Sequence, residues 1–349
     1  MQKKYETFYS KTLFETRAER MVSNLLFLNF LLYFLPSVTQ ATLCEDISGR
    51  WVNTLGSEVV IDHLQSGVLR GKYYTAVSST RGELPGHEIV GTLPYNKPGS
   101  SFAFSVTWNN GSSTTVWTGQ CLVCNGKATL ETTWLLRSFV NSCIDKWKST
   151  CIGKDVFEWK LTTEKGIPNQ NLETPHKSTV SKCDLHGIWY NNVGSEVILN
   201  QTEYGVISGE YRTAVEREKG SAGATHSLVY GSSAYGNPNT TFSLIVVWRG
   251  GASVTGWIGQ RHICENNTAI LEMSWLLRSK VDSCDDVWKS TMFGVNSFTR
   301  HEQKLGPRRN LGKHTPNRDG EDFGGGSASL IISNILLVAA LFSAWIVHD

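Results

Sequence analysis

Residues 134–150, WLLRSFVNSCIDKWKST, recur at residues 275–291 as WLLRSKVDSCDDVWKST, with 13 of 17 positions identical. Both copies keep the leading Trp, the letters LLRS and the ending WKST, and they differ in between. Self-similarity of this length indicates two copies of one structural unit. A fold predicted for one copy therefore has to hold for the other.

The repeat extends well beyond this stretch, from about Cys44 to Thr162 and from about Cys183 to His301. Matching motifs are GRWVN at 49–53 with GIWYN at 187–191, GSEV at 56–59 and 194–197, GKYYTAV at 71–77 with GEYRTAV at 209–215, and WTGQ at 117–120 with WIGQ at 257–260. Their order predicts two domains, residues 42–162 and 183–301. Residues 163–182 are polar, contain two prolines and are predicted to be a linker.

Hydrophobicity alternates with a period of two within each copy. Phe102, Phe104, Val106 and Trp108 share one face of such a segment, which is typical of a half-buried strand. Similar segments fall near 50–61, 68–79, 87–95, 101–109, 114–123, 127–138 and 155–162. A kink at Gly56 would split the first segment and make eight strands. Short strands at this spacing favour a sandwich or an up-and-down barrel, and an eight-stranded barrel leaves room for one small ligand.

The N-terminal 41 residues contain an apolar run from Asn24 to Leu35, then Pro36 and a small-residue ending. This pattern is typical of a secretory signal peptide, and a membrane anchor is the alternative, for which the run is short. Eight cysteines in a secreted chain are expected to form disulfides. The sequons at Asn110, Asn200, Asn239 and Asn266 are predicted glycosylation sites.

The C-terminal end of the chain reads as a membrane attachment. Residues 302–329 are polar and Gly-rich, as in a stalk, and residues 330–349 form an apolar tail that ends almost at the terminus. The tail predicts a GPI-attachment signal, with a single transmembrane helix as the alternative. We therefore expect an extracellular protein held at the cell surface through this segment.

Charge and motifs exclude several function classes. The net charge is +2, and the basic residues are scattered, so nucleic acid is not an expected partner. The sequence has no His-x-Glu metal motif, no Gly-x-Ser-x-Gly elbow and no phosphate-binding loop. We therefore predict no metal site and no enzyme activity.

Polar residues share the inward parity of the predicted strands in the first copy. They are Asn53, Ser57, Tyr73, Thr75, Ser113, Thr115 and Asp155, and the same parity brings in Trp108, Trp117, Trp134, Leu55, Val77 and Leu136. A buried polar group costs roughly 1–3 kcal/mol unless it is paired. So many hydroxyls and amides inside one small barrel indicate a bound ligand or buried water.

Both copies resemble the avidin and streptavidin family over nearly their full length. The motifs that carry this resemblance are GRWVNTLGS, GKYYTAV, TTVWTGQC, TTWLLRS and WKST. The resemblance implies an all-β fold of two tandem eight-stranded antiparallel up-and-down barrels. It implies non-catalytic, high-affinity binding of biotin or of biotinylated molecules, with biotin a ligand and not a catalytic cofactor. It also implies pairing of the two barrels within the chain and homo-oligomers beyond it.

The resemblance assigns a role to each inward residue of the first copy. Asn53, Ser57 and Tyr73 would surround the ureido oxygen of biotin, and Thr75 and Asp155 would accept hydrogen bonds from its N–H groups. Ser113 and Thr115 would contact the thioether ring, and an aromatic box would consist of Trp108, Trp117 and Trp134 with Leu55, Val77 and Leu136. Ser78 and Ser79 would close over the valerate, and Trp147 would reach into a neighbouring subunit.

The second copy keeps most of this set. Its members are Asn191, Val193, Ser195, Tyr211, Thr213, Val215, Trp248, Ser253, Thr255, Trp257, Trp275, Leu277, Trp288 and Asn296. Val193 replaces the leucine of the first copy, and Asn296 carries an amide where the first copy has a carboxylate. The charged loop Glu216–Lys219 would repel the valerate. We therefore expect weaker binding in the second copy.

By the same resemblance, Cys44 and Cys121 form an intrachain bridge. The second copy has Cys183 but Arg261 at the second position, so Cys264 is a candidate partner for Cys183. The equivalent residues Cys143 and Cys284 could pair with each other or with neighbours, while Cys124 and Cys151 are extra to the family pattern. An alternative function is a structural, oligomerising module that has lost its ligand.

Overall fold

The computed structural model of the chain describes residues 44–77, 86–160, 183–223, 226–234, 236–237, 239–264 and 268–304. The predicted signal segment and linker, most of the stalk and the C-terminal apolar segment lie outside these residues, as do Ser78, Ser79 and Asn266. Within the described ranges, no helix is long and apolar enough to cross a bilayer.

The first copy folds into a closed antiparallel barrel of eight strands, barrel 1. The strands are β1 Gly49–Asn53, β2 Glu58–His63, β3 Val68–Tyr74, β4 His87–Thr92, β5 Ser101–Trp108, β6 Ser113–Cys124, β7 Lys127–Ser138 and β8 Thr150–Trp159. Each strand pairs with the next, and β8 pairs back with β1. The predicted start of β8 at Asp155 was wrong. The strand begins at Thr150, which already pairs with Arg137, and this places Asp155 in its middle.

The second copy folds into barrel 2 with the same order and pairing. The strands are β9 Gly187–Asn191, β10 Glu196–Gln201, β11 Val206–Arg212, β12 Ser227–Ser233, β13 Thr241–Trp248, β14 Ser253–Ile263, β15 Ala269–Ser279 and β16 Thr291–Thr299. In each barrel a short 3-10 helix precedes the last strand, at Cys143–Lys148 and at Cys284–Lys289. These helices carry the WKST motifs. The two tandem barrels of the prediction are confirmed.

The alternating pattern of strand β5 predicted burial of one face. The structure shows that both faces are buried. Phe102 and Phe104 fill the interior of barrel 1, and Ala103 and Ser105 on the opposite face are also buried. The reason is the neighbouring barrel: Ser105 Oγ accepts a hydrogen bond from Ser243 Oγ of β13 at 2.8 Å. A period of two in the sequence distinguishes the faces of a strand but does not show whether the outer one meets water.

Strands β5, β6 and β7 pack against β13, β14 and β15, so the two barrels share one continuous junction. Its apolar centre consists of Ala103, Val116, Leu135, Ile245, Val254, Ile258 and Leu276. Gly256 permits the close approach of β14 to β6, because a Cβ at that position would lie 2.6 Å from Val116 Cγ2. Gly256 stands where the first copy has Val116, and its contact with the first copy explains the glycine.

Two disulfides cross the junction in a reciprocal arrangement. Cys124 at the end of β6 bonds to Cys284 in the 3-10 helix of barrel 2, and Cys143 in the 3-10 helix of barrel 1 bonds to Cys264 after β14. The expectation that Cys264 replaces the lost partner of Cys183 was therefore wrong. Of the two alternatives for Cys143 and Cys284, they do not pair with each other, and each bonds to another cysteine. Equivalent cysteines face opposite barrels across a pseudo-twofold axis, so each meets a non-equivalent partner.

The other four cysteines form one bridge within barrel 1 and leave two free thiols. Cys44 and Cys121 form the predicted bridge within barrel 1. Cys183 is buried and Cys151 is exposed, and both are free thiols. Burial raises the pKa of the Cys183 thiol to about 11, so it stays protonated at neutral pH.

Arg137 and Arg278, one from each repeated motif, point out of their own barrels into the junction, and both are almost fully buried. Glu272 of barrel 2 favours the charged form of Arg137, and Glu131 of barrel 1 does the same for Arg278. Burial opposes this and lowers the pKa of each guanidinium to about 10. The two arginines therefore belong to the assembly of the barrels and not to their interiors.

Candidate ligand-binding site

The interior of barrel 1 holds a cavity of about 350 Å³. Its lining consists of Asn53, Leu55, Ser57, Tyr73, Thr75, Val77, His87, Trp108, Asn109, Ser113, Thr115, Trp117, Trp134, Leu136 and Asp155. A mostly apolar and aromatic wall with a few placed polar groups is characteristic of small-molecule sites. The structure thus brings together thirteen of the residues that the sequence predicted for this site.

Asn53, Ser57 and Tyr73 form a polar cluster in which backbone N–H groups already engage the acceptor oxygens of Asn53 and Ser57. Asn53 Oδ1 accepts hydrogen bonds from the backbone N–H groups of Leu55 at 3.1 Å and of Ser57 at 2.9 Å. Ser57 Oγ accepts from the backbone N–H of Ala76 at 3.0 Å. With these lone pairs used by the backbone, the Asn53 amide and the hydroxyls are oriented to donate. The cluster therefore suits a ligand carbonyl oxygen.

Thr75 and Asp155 supply the opposite polarity. Thr75 Oγ1 donates to the Val77 carbonyl at 2.7 Å, so a ligand meets its oxygen as an acceptor. Asp155 Oδ2 accepts from the indole N–H of Trp117 at 3.2 Å. Donors on one side of the cavity and acceptors on another suit a compact group that carries both C=O and N–H.

Aromatic side chains hold the wall rigid. Tyr73 stacks on Trp117 with ring centroids 4.8 Å apart and meets the edge of Trp108 at 5.8 Å. The indole N–H of Trp108 donates to Thr115 Oγ1 at 2.8 Å. Such aromatic pairs contribute about 0.5–1.5 kcal/mol each beyond the area they bury. The flat apolar surfaces are thus in position before any ligand enters.

The tyrosine hydroxyls of both barrels are neutral donors at neutral pH. Burial raises the pKa of Tyr73 well above its usual value, although a hydrogen bond with Ser57 opposes the shift. Burial likewise raises the pKa of Tyr211 in barrel 2 to about 12. A neutral phenol can donate to a ligand carbonyl, whereas a phenolate could not.

The predicted residues of barrel 2 occupy the same places in its interior. Asn191 Oδ1 accepts from the N–H groups of Val193 at 3.2 Å and of Ser195 at 2.7 Å, and Ser195 Oγ accepts from the N–H of Ala214 at 2.9 Å. Thr213 repeats the turn of its counterpart and donates to the Val215 carbonyl at 2.6 Å. The backbone therefore engages the acceptor oxygens in the same way in both barrels, and in barrel 2 Asn191 Nδ2 also donates to the Tyr211 hydroxyl at 3.4 Å.

The aromatic wall of barrel 2 also repeats that of barrel 1. Tyr211 stacks on Trp257 at 5.1 Å, and Trp248 donates to Thr255 Oγ1 at 2.7 Å. Trp275 lies opposite Trp257 in the pairing, as Trp134 lies opposite Trp117 in barrel 1. Ser253 and Leu277 hold the register positions of Ser113 and Leu136.

One contact differs between the barrels. Asn296 of barrel 2 donates from Nδ2 to Asn192 Oδ1 at 3.0 Å, and the buried indole N–H of Trp257 has no hydrogen-bond partner among the described residues. In barrel 1 the equivalent indole is satisfied by Asp155. A carboxylate has two acceptor oxygens and can serve both partners, whereas the amide offers only one.

Two predicted residues stand away from the cavities. Trp147 is 78% exposed and Trp288 is 76% exposed, each on its 3-10 helix, and neither lines the cavity of barrel 1. Leu55 and Val77 line the cavity but remain 62% and 60% exposed, which places them at its rim.

Among the sequons, Asn110 lies in the 3-10 turn after β5 and is exposed, and its carbonyl accepts from Asn237 Nδ2 of barrel 2 at 2.7 Å. Asn200 and Asn239 are also exposed. Glycosylation at these positions stays a prediction, and Asn266 lies outside the described residues.

His87 and Asn109 line the cavity of barrel 1 but were missed in the sequence. The parity of β4 could have found His87, because Ile89 and Gly91 share its face. Asn109 follows the last residue of β5 with a positive φ of 45°, so strand parity no longer applies to it.

The chain is similar in sequence to known proteins. A model of the avidin family matches residues 41–160 and 179–301, more than half of the chain. Avidin of Gallus gallus is 43% identical over 123 residues, which are 34% of this chain and 80% of that protein. Fibropellin-1 of Strongylocentrotus purpuratus is 37% identical over 129 residues, which are 37% of this chain but only 12% of fibropellin-1. The crystal structure of xenavidin is 33% identical and covers 35% of this chain and 100% of its own, with a TM-score of 0.32.

Proposed function

Because this chain belongs to the avidin family, we propose that each of its barrels binds biotin, free or attached to another molecule, without catalysing a reaction. Proteins of this family bind biotin as a ligand and are not enzymes. The observation that carries the proposal is the donor cluster of Asn53, Ser57 and Tyr73, in which the backbone engages the acceptor oxygens of Asn53 and Ser57. The same cluster recurs in barrel 2.

The cavity chemistry matches the ureido ring of biotin. Its carbonyl oxygen would accept from the cluster, and its two N–H groups would donate to Thr75 and Asp155. Each net hydrogen bond contributes about 0.5–1.5 kcal/mol, and more where a charged group takes part. The apolar remainder of the bicycle would lie between the rings of Trp108, Trp117 and Trp134, where burial of its surface contributes about 25 cal/mol per Å².

Barrel 2 is proposed to bind the same ligand less tightly. Asn296 points to Asn192 and would have to turn toward the ligand. The loop after Val215 carries four charged, exposed residues, Glu216 to Lys219, beside the barrel interior. A carboxylate there would repel the acid tail of free biotin.

Assembly beyond one chain is part of the proposal. Avidin-family proteins form oligomers, and the two tandem barrels fit a pseudo-dimer. Trp147 and Trp288 are exposed, and Ile152, Phe293 and Val295 on the last strands are also more than half exposed. A second copy of the chain would cover these apolar side chains and receive the tryptophans. We place this assembly outside the cell, held at the surface by the C-terminal segment as a GPI anchor or a single membrane span.

Titration calorimetry with biotin tests the binding. The full chain, released from cells by phospholipase or extracted in detergent, should bind two biotin molecules, and phospholipase release itself separates a GPI anchor from a membrane span. The double substitution Asn53→Ala with Tyr73→Phe should reduce the stoichiometry to one. Tyr74→Phe is the matched control, because Tyr74 neighbours Tyr73 but faces away from the interior.

The same titration decides the alternative function, a structural module without ligand. This alternative is favoured by the two disulfides that tie the barrels together. Absence of heat and of ligand-dependent stabilisation at both sites would sink the binding proposal and support the structural one.

A further inference from the structure

His87 is an ionisable side chain in the wall of the barrel 1 cavity. It begins β4 and pairs with Tyr73 of β3, so both side chains face the interior. Its imidazole ring lies 4.7 Å from the ring of Trp108, at an angle of 66°. Since Trp108 is held by Thr115, the imidazole packs against a fixed surface.

Barrel 2 has no counterpart to this imidazole. Ser227 occupies the register position of His87, opposite Tyr211. Asp155 is the carboxylate of the barrel 1 cavity, and Asn296 stands at its place in barrel 2. One chain therefore contains one cavity with an imidazole in its wall and one equivalent cavity with a neutral hydroxyl at that position.

Among the residues that the structure describes, few charged groups lie around His87. Lys72 and Glu88 flank it on β3 and β4, but they face outward and pair with each other at 3.7 Å. Tyr73 and Trp108 are its neutral neighbours within the cavity, and Asp155 is the one carboxylate in the lining. In barrel 2, His226 precedes Ser227, and its imidazole lies 3.4 Å from the Glu210 carboxylate, on the face of the strand pair that points away from the interior.

We propose that His87 makes ligand binding by barrel 1 sensitive to acid, so that the chain releases ligand from barrel 1 and retains it in barrel 2 when the pH falls. This inference rests on the proposed binding of biotin. Water in the open cavity can hydrate an imidazolium ion, whereas a bound bicycle displaces that water. The ligand therefore disfavours the charged form, and binding is linked to loss of a proton.

This linkage determines the direction of the change in affinity and the pH range in which it occurs. Burial already lowers the pKa of His87 in the ligand-free cavity below its usual value, and a ligand would lower it further. Below the ligand-free pKa, affinity falls by up to about tenfold per pH unit. The effect is expected at pH values below the usual histidine pKa, which is about 6.5.

The test uses full chains with one working site each. Asn191→Ala with Ser195→Ala leaves barrel 1, and Asn53→Ala with Ser57→Ala leaves barrel 2. The probe is biotin amide, whose tail carries no charge, and its affinity and dissociation rate are measured at about pH 7.5 and about pH 4.5. Barrel 1 should lose about tenfold or more in affinity, and barrel 2 less than about twofold.

Reciprocal substitutions in the two barrels test whether His87 is the residue responsible for the acid sensitivity. His87→Ser should flatten the profile of barrel 1, and Ser227→His should make barrel 2 acid-sensitive. Asp155→Asn should leave the acid response in place. Equal pH profiles in the two barrels, or acid release that survives His87→Ser, would overturn the inference.

A spectroscopic measurement covers the case of a variant that does not fold. The imidazole resonances of His87 in the unmodified chain should report a lower pKa after addition of biotin amide. An unchanged or raised pKa would contradict the mechanism. Absence of binding at about pH 7.5 in both single-site chains would instead contradict the proposed function itself.

Discussion

Gln120 of barrel 1 binds both backbone groups of Val281 in barrel 2: its amide donates to the Val281 carbonyl at 2.7 Å and accepts from the Val281 N–H at 2.9 Å. Gln260 of barrel 2 makes the same pair of contacts to Val140, at 2.7 and 3.0 Å. All four residues are buried. The two barrels therefore recognise each other through a duplicated side-chain-to-backbone pair, which explains the glutamine in both WTGQ and WIGQ.

Replacement of these glutamines should weaken the junction. Gln120→Leu removes two hydrogen bonds and leaves the backbone groups of Val281 buried without partners, so we expect a loss of about 2–4 kcal/mol in the free energy of unfolding. Gln260→Leu should cost about the same. Denaturant unfolding measures both losses. Gln65→Leu, in an exposed turn, is the control and should change little.

The crossing disulfides should hold the two halves of the chain together after the linker is cut. With a protease site placed within residues 163–182, the cleaved protein should run as one species on a denaturing gel and separate only on reduction. The double variant Cys124→Ser with Cys264→Ser removes both crossing bonds and should separate without reductant. Cys44→Ser breaks only the bridge inside barrel 1, so its halves should stay joined. Separation of the unmodified halves without reductant would contradict the reciprocal pairing.

Barrel 2 should accommodate an introduced disulfide equivalent to the Cys44–Cys121 bridge of barrel 1. Arg261 takes the position of Cys121 and stands close enough to Cys183 to influence its pKa, and Arg261 Nε is buried without a partner. Arg261→Cys should form a bridge to Cys183 and stabilise barrel 2 by about 2–4 kcal/mol. Thermal unfolding with and without reductant measures the gain. Addition of Cys183→Ser should abolish it, and a gain that survives would point to another cause.

Trp147 and Trp288 should matter for assembly and ligand retention together. Loss of both side chains to alanine is expected to weaken association of chains and to speed ligand release by about tenfold or more, since interface tryptophans commonly contribute about 2 kcal/mol each. Light scattering and dissociation kinetics measure the two effects. Tyr204→Ala is the control, because Tyr204 is also an exposed aromatic side chain but lies in a turn of barrel 2. Unchanged retention would show that the tryptophans do not reach a ligand.

Stability should decline at alkaline pH through the buried tyrosines. The folded-state pKa of Tyr211 is about 12 and its unfolded value is about 10. Its contribution is therefore fully present below about pH 10 and is lost as the pH rises toward 12, by about 2–3 kcal/mol. Urea unfolding at stepped pH measures the decline. Tyr211→Phe should make it shallower, and an equally steep decline in that variant would contradict the assignment.

Most of the site could be predicted from strand parity and family motifs, because both are local. Asn53, Tyr73 and Trp117 face inward since every second residue of a strand does, whatever the strand packs against. His87 was missed because no family motif covers β4, where strand parity alone points to it. Trp147 lies on a helix after β7, where a period of two carries no information.

The sequence by itself determined the duplication and, through strand parity, the polar set that faces the interior of barrel 1. The eight-stranded barrel of each copy followed from the family motifs, because the alternation alone left a sandwich or a barrel open. Only the tertiary structure decided which cysteines pair between the barrels, why Gly256 stands where the first copy has Val116, and why both faces of β5 are buried. Each of these depends on surfaces that lie more than a hundred residues apart in the chain. Contacts between two folded barrels are set by the complementarity of whole faces, which no local pattern encodes.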